Sequence, residues 1–323
     1  MIAVARPAGP VRATAGQVWH YRAYGLHILS EVPLPELAPE GSAQAASAQA
    51  ASAPADLTIR RAALGIDVSA GGGNDRILDA GTACMWWQQI GAFRITGGRE
   101  ILVDPVPGVT DDLLAFPLLG PVLAVALFQA GYLLLHASAV SVAGAGVIIM
   151  GDKGAGKSTT ASSLLAAGHR LIADDIVAFD LAAGARLLPA FGQVKLSSAA
   201  LAQLDPPRVT VRPQVHAAID KHRVLIPADQ LAPVTPLARI YAIERGRALS
   251  VSPVPIPAAI SLLMRFAYIA RFGGDALAGD AAARHFRQVV GLAQRGVLRR
   301  LVVPDGLDRL PAVIAEIERD VTT

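Results

Sequence analysis

Apolar and polar positions alternate in short runs over the first third of the chain, then give way to a long uncharged stretch in the middle. Residues 19–38, WHYRAYGLHILSEVPLPELA, alternate and then meet prolines, which predicts a strand followed by a Pro-bounded turn. From Leu57 come LTIRRAAL, CMWWQQI, FRITGG and EILVDPV, separated by glycine-rich punctuation, the pattern of an antiparallel β region. Asp111-Asp112 open a helix expected to run to about Tyr132. Residues 133–142, LLLHASAVSV, read as one strand, Gly144 to Gly146 as a tight hairpin turn and Val147 to Met150 as a second strand. A helix begins inside the glycine-rich stretch 151–158 and stops near Gly168, and Leu171 to Ala173 form a short buried strand. Residues 187–260 are β-rich and Pro-rich, 261–295 largely helical, and a strand (Val297 to Val303) and an amphipathic helix from about Asp308 close the chain. The order predicts an α/β chain with a small β-rich region over residues 1–110 and a nucleotide-binding domain over 111–323. Residues 38–56 hold a near-repeat, SAQAASAQAAS, with no packing face, and are expected to form a mobile surface insertion.

Composition narrows the class. With 323 residues, 53% of them hydrophobic and 17% charged, the chain buries a full core and is not a disordered polymer. Lys and Arg number 29 against 26 Asp and Glu, a net charge of +3, and no basic stripe with interleaved aromatics exists, so nucleic acid is not an expected partner. The single cysteine, Cys84, excludes an internal disulfide framework and fits a reducing, cytoplasmic setting. No Asp, Glu, Lys or Arg occurs from Leu113 to Met150, and Leu113 to Leu135 is long enough to span a bilayer. Pro117, Gly120, Pro121, Gln129 and Gly131 interrupt it, and it runs straight into a phosphate-binding pattern, so a core helix and buried strands are expected and no membrane. Trp86-Trp87 reads as a sheet-packing pair.

Gly151-Asp152-Lys153-Gly154-Ala155-Gly156-Lys157-Ser158 fills every fixed position of G-x-x-x-x-G-K-S/T. Glycines let successive backbone N–H groups turn inward on phosphate oxygens, and the following helix, whose next residue is Thr159, adds the positive end of its dipole. Lys157 is placed to reach the β/γ-phosphates, and the Ser158 hydroxyl to ligate Mg²⁺. An apolar strand enters the loop and a helix leaves it, the context such a loop requires. Between Lys157 and Asp174 there is room for one helix and one short strand, and that strand ends in Asp174-Asp175. Adjacent carboxylates beside phosphates offer two roles, one on the metal or its water and one accepting the proton of an incoming hydroxyl. His136 lies on an apolar strand, where a lone histidine is ordinarily a core residue, yet the neighbouring strand delivers the phosphate loop.

The run His136-Ala137-Ser138, then Gly151 to Ser158, then Gly168-His169-Arg170-Leu171-Ile172-Ala173-Asp174-Asp175 resembles HPr kinase/phosphorylase, in which an H-G or H-A strand precedes G-D-x-G-x-G-K-S and G-H-x-L-h-A-D-D. The resemblance implies a P-loop fold of the PEP-carboxykinase/HPr-kinase kind, an ATP- and Mg²⁺-dependent transfer to a serine hydroxyl, and a homo-oligomer. It implies phosphate binding by Gly151 to Ser158, Ser158 on Mg²⁺, Asp174 as the base that activates the serine, Asp175 as a metal-site or supporting carboxylate, and His136 close to the transferred phosphate. A downstream E-I-R-G-x-G segment of that family has no counterpart here. Tyr21 to Leu26, Ser30 to Leu37, Val194-Lys195-Leu196, Asp220 to Arg223 and the helix around His285 resemble instead the HPr-kinase-related proteins found with ribosomally made peptides, the lasso-peptide kinases among them. That implies a precursor peptide as acceptor, phosphorylated on a serine near its C-terminus, with Lys195, Lys221 and Arg223 as cations that neutralise phosphate charge. Two other readings stand beside it: a true HPr kinase/phosphorylase of carbohydrate control, and a nucleotide-binding regulator without transfer.

Overall fold

A computed structural model describes residues 17–37, 54–69, 76–78, 81–196, 198–201, 210–212 and 222–322. The Ala/Ser/Gln repeat and Lys221 lie outside these residues. The described residues divide into two units, one of those from Gln17 to Tyr132 with Arg271–Ala283, the other of Leu133–Ala270 with those from Arg284 onward.

Among its described residues the first unit has a seven-stranded sheet and, after it, two short helices. Its strands are β1 (Trp19–Ala23), β2 (Leu26–Ser30), β3 (Leu57–Arg61), β4 (Arg76–Leu78), β5 (Thr82–Trp87), β6 (Gly91–Thr96) and β7 (Glu100–Pro105), in the order β1-β2-β3-β7-β6-β5-β4. β1 and β2 form a hairpin whose two turn residues, Tyr24 and Gly25, both have positive φ, the twist a two-residue hairpin loop needs. The sheet is mixed, not antiparallel as expected, because β3 pairs parallel with both β2 and β7. Leu57, Ile59, Phe93, Ile95, Ile101 and Val103 alternate with more exposed residues along their strands and are buried.

Thr110 caps α1 (Asp111–Pro117) by accepting a hydrogen bond from the Leu113 N–H, and Asp111 and Asp112 sit in the first turn where the helix dipole favours them. The single long helix expected here is broken. Gly120 leaves helical geometry (φ −114°, ψ −112°) between Pro117 and Pro121, and a π-turn at Leu118–Val122 leads into α2 (Leu123–Gln129). By length and hydropathy Asp111–Gln129 could cross a bilayer, yet 72% of its apolar window is buried inside the protein. The helix ends against this sheet: the Gln129 side chain accepts from the Gly98 N–H at 3.0 Å. α1 and α2 thus fall in the same unit as this sheet.

The second unit contains β8 (Leu133–Leu135), β9 (Ser138–Val142), β10 (Ala145–Met150), α3 (Lys157–Ala166), β11 (Arg170–Asp174), β12 (Val177–Asp180), β13 (Arg186–Leu188), β14 (Gln193–Leu196), α4 (Ser198–Leu201), β15 (Thr210–Arg212), β16 (His222–Leu225), β17 (Thr235–Arg245), β18 (Ser250–Pro253), α5 (Ile256–Arg265), the greater part of α6 (Gly279–Ala293), β19 (Leu298–Val303) and α7 (Leu310–Thr322). Its main sheet runs β11-β9-β10-β17-β13-β12-β8, with β19 alongside β17, and β14-β16-β15 form a small separate sheet. β10, β17 and β19 are parallel, and β10 is buried on both faces. Ile148 and Met150 face the cluster of Leu263, Val289 and Leu292, while Val147 and Ile149 face that of Leu164, Val313 and Ile317. The alternation of β10 thus splits between two apolar layers with helices on each side, an α/β sandwich.

One expectation fails here with a consequence for the site. Residues 133–142 are two strands, not one: β8 pairs with β12, β9 with β10 and β11, and the chain breaks at His136-Ala137.

Candidate active site

β10 delivers the phosphate-binding pattern to the sheet edge. Gly151 lies so near β17 that a Cβ there would stand 2.7 Å from Ile243 Cγ2 and 2.8 Å from the Ile243 carbonyl oxygen. Gly156, the cap residue of α3, has φ +106°, which an L side chain rarely adopts. Intrahelical bonding starts with Thr160 N–H to the Gly156 carbonyl at 2.8 Å, so the amides of residues 157–159 lie ahead of it, at the positive end of the dipole. Lys157 Nζ folds over the loop and donates to the carbonyls of Gly151 (2.5 Å) and Asp152 (3.3 Å). The Asp152 carboxylate is held by Arg265, whose Nη2 is 2.8 Å from both oxygens. Lys153, Gly154 and Ala155 complete the turn, and Thr159 follows in the first turn of the helix.

The carboxylate pair stands at the same edge. Asp174 is in register with Ser138, and Ser138 with Ile149 on β10, so Asp174 is two strands from the root of the loop, roughly 10 Å at ordinary strand spacing. Its Oδ1 accepts from Ser138 Oγ at 2.7 Å and its Oδ2 from the Lys195 backbone N–H at 2.9 Å. Burial pushes the Asp174 carboxyl above the usual carboxylate range, and those two hydrogen bonds offset only part of the effect.

Asp175 is held differently. Its φ is +72°, and the Ile176 N–H donates to the Asp174 carbonyl at 2.9 Å, which makes Asp175 the centre of a γ-turn of the rarer, positive-φ kind. Such a conformation costs about 1–3 kcal/mol and persists only where surroundings enforce it. Those surroundings are His136 Nδ1, 3.1 Å from Oδ1, and Lys195 Nζ, 2.8 Å from Oδ2. Burial opposes ionisation, but the His136 hydrogen bond and the Lys195 ammonium outweigh it and hold the Asp175 carboxyl well below its ordinary range. One carboxyl of the pair is thus pushed towards a proton and the other away from it.

His136 sits in the break between β8 and β9, not within a strand. Its N–H donates to the Phe266 carbonyl at 2.8 Å and its ring meets Tyr268 edge-on at 6.1 Å. Because Nδ1 faces Asp175, Nε2 is the ring's remaining polar atom. Lys195, on β14, touches both carboxylates, the first with its backbone and the second with its ammonium. Arg223, on β16, lies directly across from it in register. Ser138 and Arg265 were not singled out from the sequence. Ser138 left a trace as a polar residue in an apolar run, whereas Arg265 merely ends an amphipathic helix.

Among the described residues no three His, Cys, Asp or Glu side chains converge as a metal cage. Mg²⁺ does not require one, since it keeps waters and takes substrate phosphates with one or two protein ligands. Ser158, at the start of α3, is half-buried with no hydrogen bond from its Oγ to a described residue, and it fits that role.

Residues 129–195 match the family model described as HPr Serine kinase C-terminal domain. The match includes His136, Ser138, the whole loop, Asp174, Asp175 and Lys195. HPr kinase/phosphorylase of Treponema pallidum is 48% identical over 54 residues, 17% of this chain and 17% of that protein. That of Limosilactobacillus reuteri is 58% identical over 43 residues, 13% of each. The chain therefore spans less than a fifth of the length of these curated relatives. The solved Hpr(Ser) kinase/phosphatase of Coxiella burnetii aligns with 58% of this chain and 88% of its own at 12% identity, with a TM-score of 0.28.

Proposed function

We propose that this protein is an ATP- and Mg²⁺-dependent kinase that transfers the γ-phosphoryl group to a serine hydroxyl of a peptide or small protein. The observation that carries the reading is Asp174, a carboxylate with raised proton affinity two strands from a complete phosphate loop. A base of somewhat raised pKa takes a hydroxyl proton more readily than an ordinary carboxylate. Amides of 151–159 hold the phosphates, and Lys157 exchanges its loop carbonyls for β/γ-oxygens. Asp174 accepts the serine proton as the serine oxygen bonds to phosphorus, and the bond to the bridging oxygen of ADP breaks in line. Ser158 would hold Mg²⁺ with Asp175 as a supporting carboxylate, and the ion would supply neutralisation of charge on the phosphates. Asp175 stays ionised and keeps Lys195 and His136 in place, and His136 Nε2 faces the group in transit.

The acceptor we favour is a serine near the C-terminus of a lasso-type precursor peptide, supported by the resemblance of Tyr21 to Leu26 and Ser30 to Leu37 to kinases of that kind. A second reading, HPr as acceptor, is supported by the segment shared with HPr kinase/phosphorylases. Incubation with γ-labelled ATP, Mg²⁺ and either the peptide encoded beside the gene or HPr separates them. Label on a peptide serine alone is the expected result. Label on HPr alone would replace the first reading by the second, and no label on either would remove both.

A further inference from the structure

The acidic pair lies on the β9–β11 side of the loop strand. On the other side β17 and β19 run parallel to β10, and at their carboxyl ends opens a cleft of about 740 Å³ lined by Arg245, Arg247, Leu249, Pro304, Asp305 and Arg309, with Ala312 on its α7 wall. A smaller pocket of about 130 Å³ joins it to the loop: it shares Arg245 and Asp305 with the cleft and is bounded by Gly156 and Thr159 at the start of α3.

Arg245 marks the junction. Its Nη2 is 2.9 Å from where a Cβ on Gly156 would stand, its Nη1 donates to the Pro304 carbonyl at 3.4 Å, and its Nε is 3.9 Å from Asp305. Arg247 is exposed and makes no hydrogen bond or ion pair with a described residue, and Arg309 pairs with its neighbour Asp308.

A phosphoryl group in transfer must face Asp174, so the rest of the nucleotide leaves the loop in the opposite direction. There the cleft sits, outside the carboxyl ends of parallel strands, where open α/β sheets take their ligands. Its volume falls within the roughly 300–1,000 Å³ typical of small-molecule sites. Leu249, Pro304 and Ala312 offer apolar wall to a base, guanidinium planes stack on aromatic rings, and the Asp305 carboxylate can accept from ribose hydroxyls. A seat for phosphate alone would need only the arginines.

We propose that this cleft binds the ribonucleoside end of the nucleoside triphosphate, with Arg247 stacked on the base and Arg245 at the passage from the phosphates to the ribose. The inference rests on the phosphate-loop reading above. The same arginines could serve a free oxyanion, so the test separates nucleoside from charge. Calorimetric titrations with ATP and with inorganic triphosphate, both with Mg²⁺, are made on the parent protein and on Arg247→Ala, Ala312→Trp and Lys157→Ala.

The expected result is that Arg247→Ala and Ala312→Trp each weaken ATP about tenfold while triphosphate affinity stays within about twofold. Lys157→Ala should weaken both ligands. ATP affinity unchanged in the two cleft variants would overturn the proposal. So would equal losses of ATP and triphosphate in Arg247→Ala, which would make the cleft an oxyanion site. If the parent protein bound neither ligand, the phosphate-loop reading itself would fall and take this one with it, a pattern distinct from the other two.

Discussion

Replacing Lys195 with Met removes the ammonium that lies 2.8 Å from Asp175 and keeps most of the side-chain volume and the backbone N–H that serves Asp174. The two side chains are 28% and 25% exposed, so the pair lies between the surface and buried cases. Breaking a fully buried pair costs about 3–5 kcal/mol and an exposed one about 0–1, which places this loss near 2 kcal/mol at pH 7. The sign of its pH dependence follows from the direction of the shift. Asp175 has a depressed pKa in the folded state, so its contribution is fully present above the unfolded value of about 3.9 and is lost as pH falls towards the folded one. Urea unfolding of parent and variant at pH 7, 5 and 3 should give a difference that is steady between pH 7 and 5 and shrinks by pH 3. A difference that is the same at all three values, or absent at pH 7, would refute the claim that Lys195 holds Asp175 in its left-handed conformation.

Ser138→Ala removes the 2.7 Å bond to Asp174, one of the two that offset its burial. The Asp174 pKa should rise further, moving the acidic limb of the kcat/KM profile to higher pH and slowing transfer up to about tenfold along that limb, with ATP affinity unchanged. An unmoved acidic limb would separate Ser138 from the base. Gly156→Ala forces a Cβ to 2.9 Å from Arg245 Nη2 at a φ of +106°, and calorimetry should show ATP affinity falling by more than about tenfold. Parental affinity in that variant would mean the loop does not need its left-handed turn.

The phosphate loop was legible because most of its geometry is local: the positive φ of Gly156 and the reach of Lys157 to the Gly151 and Asp152 carbonyls are set within one turn of backbone, and the strand before and helix after carry their own periodicity. Asp174-Asp175 was legible for the same reason, at the end of a short apolar run. What escaped depends on partners distant in sequence. Leu133 to Leu135 and Ser138 to Val142 share one pattern but belong to different neighbours, so the break that frees His136 left no mark. The parallel pairing of β3 with β2 and β7 was equally silent, since a period of two says which face is buried and not which strand lies alongside. The positive φ of Asp175 and its clasp by Lys195 arise from β14, an element with no local tie to the loop. Arg265 reaches Asp152 only through the position of α5.

The central claim is that Asp174 takes the proton of an acceptor serine while the loop holds the nucleotide. It is tested most directly by intact-mass spectrometry of the candidate precursor peptide after incubation with ATP and Mg²⁺ and either the parent protein or Asp174→Asn, alongside ATP titrations of both. The account predicts a gain of about 80 Da on a serine with the parent protein, none with the variant, and similar ATP affinity in the two. Phosphorylation by Asp174→Asn at the parental rate would contradict it.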